Sequence, residues 1–221
     1  MLSSIRTRLF AIVAAAMNVA ATSFAAHALD LDFLPAADPG PTSWAGWIIN
    51  PDIGFESMSF SGTGGALLKD ADGYYGGGYV GRDFEWGPLV VGASANIAYS
   101  WMDGSGAGTD PFDLETRLNY FGLVRGRAGI GLGRFLVYGT AGLAYGDLEI
   151  ESRASASSAS ETLTGLAVGG GVEIAWNGSM SLKAEYLTID FDAVTFSSLP
   201  AGRDVVDAEM EIWKVGFVRR F

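Results

Sequence analysis

The sequence predicts an all-β fold: one eight-stranded, antiparallel, up-and-down transmembrane β-barrel with short turns at one rim and longer loops at the other. Three observations predict it. Segments of about ten or more residues alternate apolar with small or polar side chains, the period of a strand whose faces meet different surroundings. The connections between these segments alternate short and long. Mean hydropathy is +0.25, with 12% aromatic residues and 31 glycines, yet beyond residue 28 no apolar run is long enough for a membrane helix.

Arg6 and Arg8 precede an apolar run from Leu9 to about Ala21, followed by small residues ending in Ala26-His27-Ala28. This is the layout of a secretory signal peptide, residues 1–28, cleaved near Ala28. A retained anchoring helix is the competing reading, disfavoured by Asn18, Thr22, Ser23 and His27, which interrupt the run. Residues 29–43, with Pro35, Pro39 and Pro41 and no periodicity, read as a flexible periplasmic leader, and residues 44–221 as the barrel domain. Removing residues 1–28 takes two basic and no acidic side chains, so 14 basic against 25 acidic become 12 against 25. No Lys/Arg cluster is visible along the sequence, which argues against nucleic acid and anionic membrane surfaces as partners and favours divalent cations or basic partners. Without cysteine, an exported chain of this size is held by packing or barrel closure and not by disulfides.

Eight strands follow, at 44–57, 74–86, 89–102, 114–130, 134–150, 162–176, 180–192 and 208–221. Each exceeds the roughly nine to eleven residues a tilted strand needs to cross hydrocarbon. The third is the cleanest. Leu89, Val91, Ala93, Ala95, Ile97, Tyr99 and Trp101 share a face suited to lipid, and Val90, Gly92, Ser94, Asn96, Ala98 and Ser100 share one suited to a narrow interior. In the sixth, Leu166, Val168, Val172, Ile174 and Trp176 oppose Gly165, Ala167, Gly169, Gly171 and Glu173. Gly87-Pro88, Gly131-Leu132-Gly133 and Asn177-Gly178-Ser179 are tight turns. The intervening links, 58–73, 103–113, 151–161 and 193–207, are longer and polar. Short turns on the periplasmic rim and long extracellular loops are the asymmetry of membrane barrels, and an even strand count leaves both ends on the turn side.

Trp44, Trp47, Phe84, Trp86, Tyr99, Trp101, Tyr138, Tyr186, Trp213 and Phe217 are placed as girdles at the two membrane interfaces. The alternative is a soluble periplasmic β-sandwich binding protein whose core takes these rings, but its strands would be about half as long. Opposite the apolar face lie Arg125, Arg127, Glu173, Lys183, Glu185 and Lys214. Eight strands enclose an interior only as wide as side chains, so these six are expected to pair into a lumen charge network. A narrow porin passing small solutes is the alternative.

No catalytic, cofactor or metal site is expected. The one histidine, His27, falls in the predicted signal segment, and a serine nucleophile without a histidine or suitably placed lysine lacks its base. Asp190 and Asp192 fit a solvated strand end better than a carboxylate pair. Asp70-Ala71-Asp72-Gly73 lacks the later ligands of a calcium loop. Gly129-Ile130-Gly131-Leu132-Gly133 precedes a strand where a dinucleotide fingerprint needs a helix.

Residues 44–221 resemble the alphaproteobacterial outer-membrane β-barrel porin family, which groups small major surface antigens with opacity-like proteins. The carriers are Trp44-Ala45-Gly46-Trp47; Val124-Arg125-Gly126-Arg127-Ala128-Gly129; Tyr138-Gly139-Thr140-Ala141-Gly142-Leu143-Ala144-Tyr145-Gly146; Gly169-Gly170-Gly171-Val172-Glu173; Leu182-Lys183-Ala184-Glu185-Tyr186-Leu187; and Val218-Arg219-Arg220-Phe221. The residues themselves lead to a non-enzymatic surface protein whose acidic extracellular loops face lipopolysaccharide, cations, host or environment. The resemblance implies an abundant protein of the bacterial outer membrane, often called a porin, that helps stabilise the envelope and meets the host or environment. It also implies that the last strand carries the signal read by the barrel assembly machinery, with Trp213, Val215, Phe217 and Phe221 at alternate positions. Arg219 departs from that pattern, because an apolar residue usually fills its place. Its partners are thus expected to be outer-membrane lipid and lipopolysaccharide, with a homo-oligomer left open. The Ser/Ala-rich stretch 152–161 receives no function.

Overall fold

The computed structural model describes residues 43–61, 70–103, 114–152, 157–195 and 205–221. The expected signal peptide, the leader up to residue 42 and the tips of the four long connections lie outside the described residues. Among the described residues the strands are β1 (Gly46–Ser61), β2 (Ala71–Trp86), β3 (Leu89–Asp103), β4 (Leu114–Leu132), β5 (Phe135–Ser152), β6 (Ser157–Ala175), β7 (Met180–Phe191), β8 (Val194–Thr195) and β9 (Val205–Arg220). Each long strand pairs antiparallel with the next, and β9 pairs back onto β1. The short β8 adds two residue pairs at the start of β9. Eight strands therefore close into a single barrel, which removes the two-sheet sandwich from consideration.

The stagger of that closure sets the bore. Paired residues followed once around the wall run from Ile48 through Gly81, Ser94, Arg125, Gly142, Ala167, Ile189 and Met210 to Met58, ten residues along β1 from the start. With eight strands this stagger corresponds to a tilt of roughly 40° and an interior that side chains can fill.

The tight turns form where the sequence offers the required backbone. Gly87 and Gly133 adopt φ of 59° and 61°, the left-handed region in which a Cβ is unfavourable. At the third turn, the Asn177 side-chain oxygen accepts hydrogen bonds from the backbone N–H of Ser179 and Met180, each at 2.9 Å.

Several strands outrun their expected limits. β1 reaches Ser61, and β5 and β6 stay paired up to Ser152 and Ser157, so most of the expected loop 151–161 is hairpin. The ladder is made by the backbone and needs no apolar side chain once it leaves lipid. In β4 the alternation slips: registers shift between Tyr99 and Met102 and between Leu118 and Phe121. The bulge lets Leu118 and Phe121 both face inward, although they are three residues apart.

Candidate functional site

The interior is the candidate site, and it changes character along the barrel axis. β7 shows this most simply. From the turn end its buried residues are Ser181, Lys183 and Glu185, then Leu187, Ile189 and Phe191. Its outward residues begin with Leu182 and Ala184, reach Tyr186, and continue with Thr188 and Asp190. β9 repeats the change in the opposite chain direction. Inside it has Arg220, Val218 and Lys214, then Ile212, Met210 and Ala208; outside it has Phe217, Val215 and Trp213, then Glu211 and Glu209. Tyr186 and Trp213, with ring centroids 4.4 Å apart, mark the level of the change, and the Tyr186 hydroxyl donates to Glu211 Oε1 at 2.8 Å.

On the turn side the lumen holds ionic side chains. Among the described residues ten charged side chains are buried, five of each sign: Arg125, Arg127, Lys183, Lys214 and Arg220 against Asp52, Glu56, Asp83, Glu173 and Glu185. Equal numbers matter because an uncompensated buried charge is strongly destabilising. Nine of them form two groups, and Glu56 stands apart from both. Nearest the turns, Arg127 bonds Asp83 through Nε at 2.9 Å and through Nη2, and reaches Glu173 with Nη1 at 3.2 Å. Arg220 donates to Glu173 at 2.9 Å and lies 3.5 Å from Asp83. Ser181 also donates to Glu173. Two arginines and two carboxylates thereby make a neutral, cross-braced quartet, with the planar guanidinium fork serving both acids.

The second group is centred on Glu185. Its Oε1 accepts Arg125 Nη1 at 2.6 Å and lies 3.0 Å from Lys214 Nζ. Its Oε2 accepts the Tyr138 hydroxyl at 2.7 Å and lies 3.6 Å from Lys183 Nζ. Lys214 is also 3.7 Å from Asp52. Lys183 sits 4.0 Å from the Tyr79 ring centroid, a cation–π contact inside the wall. Glycines on facing strands make the room: a Cβ on Gly92 would overlap the Asp83 carboxylate, and one on Gly171 the Tyr138 ring.

Both ends of this polar section are closed by apolar packing. At the turn mouth Trp44, Val90, Leu136, Tyr138 and Ala175 form a buried cluster, with Arg220 stacked over the Trp44 ring at 5.1 Å. On the loop side a larger cluster fills the bore, including Met58, Tyr75, Met102, Leu118, Phe121, Leu163, Leu187, Ile189 and Met210. Glu56 lies on the inward face of β1 between the ions and this cluster, and takes a hydrogen bond from Ser100.

The six residues singled out by sequence, Arg125, Arg127, Glu173, Lys183, Glu185 and Lys214, are all buried in the lumen, divided between the two groups. Sequence reasoning missed Asp52, Asp83, Arg220 and Glu56. Alternation was the available signal: with Trp47, Ile49, Ile53 and Phe55 outward, Asp52 and Glu56 must point in, and with Phe217, Arg219 and Phe221 outward, so must Arg220. Trp44 and Tyr138, expected in the girdles, lie inside instead, at 1% and 3% exposure. Trp44 precedes β1 and folds across the mouth, where Glu85 accepts its backbone N–H at 2.9 Å; Tyr138 shares the inward face of β5 with Leu136 and Thr140. Trp213, Val215, Phe217 and Phe221 all face outward, each at least half exposed. Phe221 is fastened to β1 by N–H to Trp47 O at 2.9 Å and by the return bond at 3.2 Å. No group of three or more His, Cys, Asp or Glu suited to a metal occurs among the described residues.

The sequence and fold match known proteins. The family described as "Outer membrane protein beta-barrel domain" matches residues 12–221. A 22 kDa outer membrane protein of Rhizobium leguminosarum bv. viciae is 32% identical over 151 residues, covering 66% of this chain and 68% of its own. The 31 kDa outer-membrane immunogenic protein of Brucella melitensis is 30% identical over 200 residues, covering 77% and 83%. Among solved structures, Neisserial surface protein A is similar with a TM-score of 0.54 at 16% identity, covering 80% of this chain and 98% of that one, a likeness of fold.

Proposed function

The chain belongs to the outer membrane protein β-barrel family, and from that membership we propose that it is a structural surface protein of the bacterial outer membrane without catalytic activity. In this reading the barrel is an anchor, and its loop end meets lipopolysaccharide-bound cations, host molecules or other cells. The observation that carries the proposal is the filled bore: ion-paired side chains occupy the turn-side section and packed apolar side chains the loop-side section. A lumen packed in this way favours an anchor over an open, water-filled channel. The residues from 29 onward contain neither histidine nor cysteine, which supports a non-enzymatic role. The outward acids Asp190, Glu209 and Glu211 above the aromatic level support contact with cations held by lipopolysaccharide. The outward row Trp213, Val215, Phe217 and Phe221 on the closing strand supports recognition by the barrel assembly machinery.

Conductance of the purified protein in planar bilayers tests the central point. No steady openings are expected, and large, long-lived openings would overturn the anchor reading in favour of a narrow porin.

A further inference from the structure

The outward wall carries its charges at two levels. The exposed acids of β7 and β9 lie toward the loops, whereas two exposed arginines, Arg82 on β2 and Arg219 on β9, lie near the turns. They are 137 positions apart in sequence, and the fold sets them on either side of β1. Arg82 pairs with Trp47, and Arg219 with Ile49. Two strand spacings and a two-residue offset put their Cα atoms roughly 12 Å apart, close enough for two extended side chains to meet one group between them.

Neither arginine has a carboxylate within ion-pairing distance among the described residues. Aromatic rings hold them instead. The Arg82 guanidinium carbon lies 5.3 Å from the Trp47 ring centroid and 5.1 Å from that of Phe84, and that of Arg219 lies 5.1 Å from the Phe221 ring. A guanidinium stacked on a ring keeps its N–H edge free, and that edge matches a phosphate bidentately. On the loop side of the pair the outward face continues with Ile49 and Val80, 48% and 54% exposed. A cation on a lipid-facing wall is destabilising unless its head reaches the interface, and the rings of Phe84, Trp86 and Phe221 place that interface beside the pair.

We infer that Arg82 and Arg219 form a binding site for the phosphate of an anionic phospholipid in the periplasmic leaflet, whose acyl chains lie on Ile49 and Val80. The pair faces out of the wall at headgroup level on the turn rim, which selects a membrane lipid over a soluble phosphate and the inner leaflet over the outer. It also gives Arg219 a role that its departure from the apolar pattern of the closing strand left open. The site does not depend on what the loops contact.

The test is a titration of the folded protein in nonionic detergent with phosphatidylglycerol, read by native mass spectrometry, with phosphatidylcholine and inorganic phosphate as separate arms. The wild type is expected to retain phosphatidylglycerol preferentially, and combined R82Q and R219Q to weaken that binding roughly 30-fold, from the loss of two interfacial cations. Combined R82K and R219K keeps the charge but loses the fork, and is expected to bind measurably less tightly than wild type. R134Q, at the same rim but bound to the Ala175 carbonyl, is expected to bind normally. Wild-type binding by the glutamine pair or, should that variant not assemble, by the lysine pair overturns the site. So does an equal loss in R134Q, which would reduce it to general rim charge, and so does equally tight binding of inorganic phosphate, which would remove the lipid.

Discussion

The turn-side and loop-side halves of this barrel bury opposite kinds of side chain behind the same alternation. On the turn side Lys183 and Glu185 are inside while Leu182 and Ala184 are outside; two pleats further along β7, Leu187 and Ile189 are inside while Thr188 and Asp190 are outside. The first half is inverted relative to a soluble protein because its solvent is hydrocarbon. The second half has a core like that of a soluble β-protein because its solvent is water. The comparison teaches that period two reports only that the faces differ, and the surrounding medium decides which face is apolar.

The comparison breaks most visibly at its ionic centre. Replacing Glu185 with Ala strips Arg125, Lys183 and Lys214 of their shared partner and should cost about 3–5 kcal/mol, the penalty of leaving buried charge unpaired. Urea unfolding of the detergent-folded protein, followed by its heat-dependent gel shift, measures it; an unchanged midpoint means that the group does not stabilise the wall.

A smaller loss is expected from a charge on the lipid-facing side of the same half. Val80→Lys, one pleat inside the interface marked by Arg82, should cost about 1–2 kcal/mol, between the interfacial and midplane costs of a lipid-facing lysine. Equal stability of this variant and the wild type in lipid vesicles would place Val80 outside the hydrocarbon.

The loop-side core should respond as an ordinary protein interior does. Ile189, fully buried, loses one methylene in Ile189→Val, for about 1 kcal/mol. The same denaturant series reads this, and a gain in stability would mean the cluster is overpacked. The smallest effect belongs to the outward acids: Glu209→Arg should change stability by less than about 0.5 kcal/mol, since that surface is wet. A loss as large as that of Val80→Lys would push the hydrocarbon boundary past Trp213 and erase the distinction between the halves.

Much of the turn-side half was legible because one rule governs it. Faces of β3 and β6 follow directly from Leu89 through Trp101 and from Gly165 through Trp176, and the three tight turns announce themselves in Gly and Asn. The remainder was hidden for identifiable reasons. The loop-side core uses Leu187, Ile189, Met210 and Ile212 inward, yet the expectation of a polar lumen drew attention only to charges. At β4 the bulge breaks the count, so Leu118 and Phe121 share a face that strict alternation would split. Trp44 stands outside any strand, and only the folded chain shows it turning across the mouth. Arg220 was overshadowed by Arg219, its outward neighbour. The Ser/Ala stretch from 152 reads as loop by composition, although backbone pairing there needs none of the side chains that composition counts.

The seam between β1 and β9 carries a kinetic consequence. The Asn50 side chain donates to the Phe217 carbonyl across 167 residues of sequence, and the strands on which they lie complete the cylinder. Until those two meet, every intermediate has two raw edges that hydrocarbon cannot hydrate. The pairing of β1 with β9 is therefore what lets this wall rest in lipid without an unpaired edge. Once closed, it can leave only by breaking a whole ladder at once.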